Sequence, residues 1–87
     1  MSRKPSWQHI NRPKLEKLCR QEGYEIHWFD EYHARILTEL VIVDIWTPRM
    51  KFNVLNIDGT EQPNRYKQLS QQFNEQEVKK LLNSGRV

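Results

Sequence analysis

Residues 24–57 read YEIHWFDEYHARILTELVIVDIWTPRMKFNVLNI, and the period of that stretch decides the fold. Four segments read as strands: Tyr24 to Phe29, Tyr32 to Leu37, Leu40 to Trp46 and Lys51 to Ile57. Each is rich in β-branched and aromatic side chains, which favour strands. Asp30-Glu31 makes a turn, Thr47-Pro48 stops the third segment and Asp58-Gly59 the fourth. Connections this short predict antiparallel pairing. Alternation then sorts the side chains onto two faces. Tyr24, Ile26, Trp28, Tyr32, Ala34, Ile36, Val41, Val43, Ile45, Phe52 and Val54 form an apolar face that should receive helices. Glu25, His27, Phe29, His33, Arg35, Leu37, Ile42, Asp44, Trp46, Lys51, Asn53 and Leu55 form a mixed second face.

Outward from this core the period changes to that of a helix on both sides. Asn11 reads as an N-cap, Pro13 as a first-turn residue and Ile10 with Leu15 as a hydrophobic staple, predicting a helix over 12–22 that ends at Gly23. Residues 58–72 are polar, with Tyr66 and Leu69 as anchors for a short fifth strand. Phe73, Asn74, Glu77 and Val78 stand as staple, N-cap and capping-box positions for a second helix over 75–83, with Gly85 beyond it. The expected architecture is α+β, α-β-β-β-β-α, an antiparallel sheet with two helices packed on one face. Residues 1–10 are expected to form a flexible basic N-terminal arm and 11–87 a single domain.

Composition narrows the function. The apolar fraction is 37% of 87 residues, so the core is lean. No apolar run approaches the roughly 18 residues of a membrane span. The start, Met1-Ser-Arg-Lys-Pro, has no apolar stretch after its bases and does not read as a secretory signal. Cytoplasmic localisation is the expectation. The single cysteine, Cys19, lies on the apolar stripe of the first helix and reads as a core residue. His9, His27 and His33 have no metal-site spacing, no second carboxylate accompanies Asp44 and Lys51 in a nuclease-like pattern, and the three glycines are isolated terminators. A non-enzymatic protein without cofactor or metal is the expectation.

Charge is unevenly distributed. Residues 1–20 carry net +5, residues 21–46 net −5 and residues 47–87 net +3, within a total of +3. Basic blocks mark phosphate-binding surfaces, and an aromatic and basic sheet face suits stacking on single strands. Arg12, Lys14, Lys17 and Arg20 are therefore candidate phosphate contacts, with Arg35, Trp46 and Lys51 supplying stacking and further charge. Trp7, His27, His33 and Tyr66 are candidate partner contacts. The alternative is a protein-binding module, an inhibitor or adaptor of a host complex, since alternating charge blocks steer protein association as readily. One continuous positive stripe would favour nucleic acid; separate patches beside exposed apolar area would favour protein. Monomer and homodimer are both compatible with the sequence.

Two resemblances bear on this. The α-β-β-β-α succession resembles the double-stranded-RNA-binding domain in outline, but the last helix opens with Glu75-Gln-Glu, where those domains carry lysines, so no residue is carried over. Asp30-Glu-Tyr-His-Ala-Arg-Ile, with Val43-Asp-Ile-Trp-Thr-Pro and Lys51-Phe, is similar to short uncharacterised proteins encoded by phages and prophages. That resemblance, over residues 24–57, implies a mobile-element origin and a bacterial cytoplasm.

Overall fold

Five antiparallel strands in the order β1-β2-β3-β4-β5 form one meander, with a helix at each end of the chain. The computed structural model describes residues 7–60 and 67–85. Within them α1 spans Gln8–Glu22, β1 Glu25–Trp28, β2 His33–Leu37, β3 Val41–Trp46, β4 Lys51–Asn56, β5 Lys67–Gln68 and α2 Glu75–Ser84. The α+β architecture matches the reading of the sequence, with the fifth strand added at the edge of β4. Leu69 is buried, as an anchor there should be; Tyr66 lies outside the described residues.

The register settles which face is which. Ala34 pairs with Ile45 and Ile45 with Phe52; Ile36 pairs with Val43 and Val43 with Val54. These residues share one core with Leu15, Leu18 and Cys19 of α1 and Val78, Leu81 and Leu82 of α2. Both helices therefore cover the predicted apolar face. Tyr32 is a correction. It sits outside β2, in a turn of four residues rather than two, and is 49% exposed. The Asp30 carboxylate accepts the backbone N–H of Tyr32 at 2.7 Å and of His33 at 2.8 Å. This Asx turn takes Tyr32 out of the strand alternation.

The first helix is the second correction. It begins four residues earlier than its capping residues suggest. Asn11 and Pro13 lie inside it, and Trp7 occupies the N-cap without a side-chain cap. Tertiary contacts hold the extra turn. The Trp7 N–H donates to the Pro48 carbonyl at 3.1 Å, and the N–H of Asn11 donates to the Trp7 carbonyl at 2.7 Å. Pro13 cannot donate to the His9 carbonyl, but His9 is exposed, so water can satisfy that oxygen. Ile10 and Leu15 then lie together within the helix and do not form the expected staple.

Asn11 is fully buried and links three parts of the chain. Its Nδ2 donates to the carbonyls of Thr47 and Gln71, each at 2.7 Å. Its Oδ1 accepts the Phe73 N–H at 2.7 Å. It ties α1 to the β3–β4 turn and to the segment that leads into α2. That second helix starts as predicted: the Asn74 side chain accepts the Glu77 N–H at 3.0 Å. Glu77 completes no reciprocal box; its carboxylate takes the Ser70 N–H at 2.7 Å instead.

Candidate functional site

The strand pairing places three rows of side chains on the face opposite the helices. His33 faces Trp46, which faces Lys51; Arg35 faces Asp44, which faces Asn53; Leu37 faces Ile42, which faces Leu55. The first row carries the aromatic chemistry. The His33 and Trp46 rings stack at 4.2 Å with 16° between their planes. Phe29, in the β1–β2 turn, meets the His33 ring at 4.7 Å and remains 57% exposed. Tyr32 and Trp46, with Pro48, Arg49 and Lys51, line an open groove of about 280 Å³ at this end of the sheet.

The β3–β4 turn supplies the groove's basic wall. Its last residue, Met50, has φ 56°, a left-handed conformation that glycine or asparagine usually adopts. Such a residue costs about 1–2 kcal/mol. Full burial of the Met50 side chain, worth about 1.5–3 kcal/mol, offsets it. With Met50 directed into the core, Arg49 is left exposed at the groove. Thr47, also fully buried, joins the two turns: its N–H donates to the Tyr32 carbonyl at 2.8 Å.

The second row is electrostatically closed. Arg35 donates from Nε to Asp44 Oδ1 at 2.8 Å and from Nη2 to Oδ2 at 3.0 Å. This planar two-point pairing raises the Arg35 guanidinium above its ordinary value, with burial opposing. The guanidinium also lies 5.1 Å over the Phe29 ring. Arg35 is therefore paired with Asp44, with its side chain still 35% exposed.

The bases of α1 lie on the other side of the sheet. Arg12 pairs with Glu16 at 3.2 Å, donates to the Glu31 carbonyl at 3.2 Å and stacks 4.3 Å over Trp28. Lys14 and Lys17 border a hollow with Phe73 and Glu75, whereas Arg20 borders another with Glu16 and Trp28. The seven candidate contacts thus divide into two sets on opposite layers. Arg35, Trp46 and Lys51 lie on the second sheet face, the last two at the groove; Arg12, Lys14, Lys17 and Arg20 lie on the helix layer. Trp7 approaches through its backbone bond to Pro48, while His27 lies 3.1 Å from Glu25 at the far strand. Tyr66 lies outside the described residues. Phe29, Tyr32 and Arg49 join the site although sequence reasoning passed over them. The signal for Tyr32 was the Asp30 side chain two residues before it; Arg49 needed the Met50 conformation.

A larger hollow, about 580 Å³, opens at the opposite end of the sheet and is lined by Glu22, Glu25 and Glu39. Its carboxylates repel phosphate, so size does not make it the better candidate. The Cys19 thiol is buried and pushed up to about 12, by burial first and by Glu16 second, which keeps it protonated and inert.

The turn that presents Phe29 and Tyr32 should be acid-sensitive. The two backbone N–H groups of Tyr32 and His33 hold the Asp30 carboxyl below its ordinary value. A depressed folded-state value contributes stability above the unfolded value, near 3.9, and loses it as pH falls through the folded one. Amide exchange of Tyr32 and His33, relative to the intrinsic rate at each pH, should accordingly rise below about pH 4 in the wild type. In Asp30→Asn, which keeps an acceptor but no charge, that rise should be absent; an identical acid response in both proteins would disprove the assignment.

Comparison of the chain with protein-family models, curated proteins and solved structures finds no match. Among the described residues, no helix is long and apolar enough to cross a membrane.

Proposed function

We propose that this protein is a small non-enzymatic binder of single-stranded nucleic acid, acting in a bacterial cytoplasm as the product of a mobile element. The observation that carries the reading is the groove in which Tyr32 and Trp46 stand beside Arg49 and Lys51. Stacking on aromatic side chains contributes about 1–3 kcal/mol per base, and flanking cations take the phosphates. A groove of about 280 Å³ suits one or two nucleotides, not a duplex. The division of the bases between two layers supports the same choice, because a duplex footprint requires a continuous positive surface.

Fluorescence anisotropy with labelled single-stranded DNA, single-stranded RNA and the matching duplexes, at about 50 and about 200 mM salt, tests this. Single strands should bind more tightly than duplexes, with a salt slope near −1.4 if Arg49 and Lys51 each meet one phosphate. Trp46→Ala should weaken binding about 5- to 150-fold. Lys51→Glu should weaken it and flatten the slope, whereas Lys14→Glu and Lys17→Glu on the opposite layer should change it less than about twofold. Equal binding to duplexes, or no loss in a folded Trp46→Ala protein, would overturn the reading.

One observation favours the second reading, a protein-binding module. Phe29 and Tyr32 are large apolar side chains, 57% and 49% exposed, beside an arginine, a composition enriched at binding hot spots. Under that reading single strands of every kind fail to bind, and a nuclease-resistant partner recovered from bacterial lysate is lost in Phe29→Asp.

A further inference from the structure

The centre of the aromatic face contains an unsatisfied group. His33 Nε2 is buried and makes no hydrogen bond with any described residue. Leaving such a group unpaired costs about 1–3 kcal/mol, so its presence requires an explanation. Asp44 Oδ2 lies 3.5 Å away, beyond normal hydrogen-bond distance for a ring nitrogen. The same oxygen already accepts Arg35 Nη2 at 3.0 Å. Above the imidazole lies the Trp46 ring, at 4.2 Å.

We propose that His33 is a proton-operated latch on Asp44. Uptake of one proton from solvent turns the ring into a cation whose Nε2–H donates to Asp44 Oδ2, closing the 3.5 Å gap. The carboxylate is then shared between two cations. Arg35 and Asp44 cancel one another, so protonation changes this cluster from neutral to +1. The stacked indole stabilises that cation through its ring face. Histidine is the side chain suited to such a change near neutral pH.

The charged surroundings oppose one another. Asp44 on β3 and Asp30 in the β1–β2 turn favour the cation; Asp30 accepts the His33 backbone N–H at 2.8 Å. Arg35 on the same strand and Lys51, across Trp46 on β4, oppose it. His27 on β1 faces Arg35 one row away. The unpaired nitrogen has the Asp44 carboxylate 3.5 Å away as its available acceptor.

The latch stands on these contacts alone; its effect on affinity rests on the single-strand reading. If the added cation meets one phosphate, binding at about 0.1 M salt should tighten about fivefold on acidification, and the salt slope should steepen by about 0.7.

Nuclear magnetic resonance of the free protein between about pH 5 and 8 tests the latch without any ligand. The Arg35 Nε–H and Trp46 indole N–H resonances should move with the titration of the His33 ring. With His27 replaced by glutamine throughout, which removes the ring facing Arg35, they should stay still in His33→Gln over the same range. Arg35 and Trp46 signals that ignore the His33 titration, or that still move in the His27→Gln/His33→Gln protein, would overturn the latch. Anisotropy with labelled oligothymidylate at about pH 5.5 and 8 then tests the consequence. Wild type should bind about fivefold tighter in acid, with a ratio near one in His33→Gln. Equal wild-type affinity at both values would overturn the coupling. Absence of binding at either value would remove the single-strand reading, with the latch judged by the resonances.

Discussion

Replacing Asn11 by alanine should destabilise the fold by about 4 kcal/mol. The side chain satisfies two carbonyls and one N–H, all at 2.7 Å, while itself fully buried. Alanine leaves three backbone groups unpaired, each costing about 1–3 kcal/mol, and relaxation and entering water reduce that sum. A chain of 87 residues has a total stability of roughly 4–13 kcal/mol, so the variant should be close to unfolded. Thermal denaturation should register a fall of about 15–30 °C. Asn11→Asp should do nearly as badly, because a carboxylate would face the Thr47 and Gln71 carbonyls with no N–H to offer them. Asn74→Ala, losing one cap on α2, should cost about 1 kcal/mol and calibrates the comparison. An Asn11→Ala protein that melts no lower than Asn74→Ala would show that the buried tie is dispensable.

Asp44→Ala should cost about 2 kcal/mol and lower the melting temperature by about 8–16 °C. The carboxylate is 7% exposed and accepts two hydrogen bonds from Arg35. Removing one member of a buried pair costs about 3–5 kcal/mol, but the Arg35 side chain is 35% exposed and can recover part of its hydration. The double variant Arg35→Met/Asp44→Leu should return to within about 1 kcal/mol of wild type, since a packed apolar pair replaces an ion pair at little net cost. Urea denaturation of the wild type, both single variants and the double variant completes the cycle. A double variant as unstable as Asp44→Ala would locate the loss in packing or strand register and not in the unpaired guanidinium.

Both variants bear on function as well as on stability. Asn11 holds the β3–β4 turn against α1, and that turn carries Arg49 to the groove. Asp44 anchors Arg35 and stands next to His33, so its loss would disturb the row on which Trp46 lies. Binding measurements on the groove are therefore cleanest with Arg49, Lys51 and Tyr32 variants, whose side chains reach solvent.

The alternation through residues 24–57 determined the strands, their antiparallel order and the division of the sheet into a core face and a second face. Glycines and the capping residues Asn74 and Glu77 determined where α1 ends and where α2 starts. These signals are local: a period, a terminator or a cap acts within a few residues. The start of α1 was hidden because Asn11 has the chemistry of a cap and was used instead as a buried tie to residues 36 and more positions away. Tyr32 left the core because a side-chain-stabilised turn of four residues displaced it from the strand. Arg35 ceased to be an open cation because the register set it opposite Asp44, while the helix bases fell on the far side of the sheet. Only tertiary structure decided these points, because each depends on which distant backbone or charge the fold brings within hydrogen-bond reach.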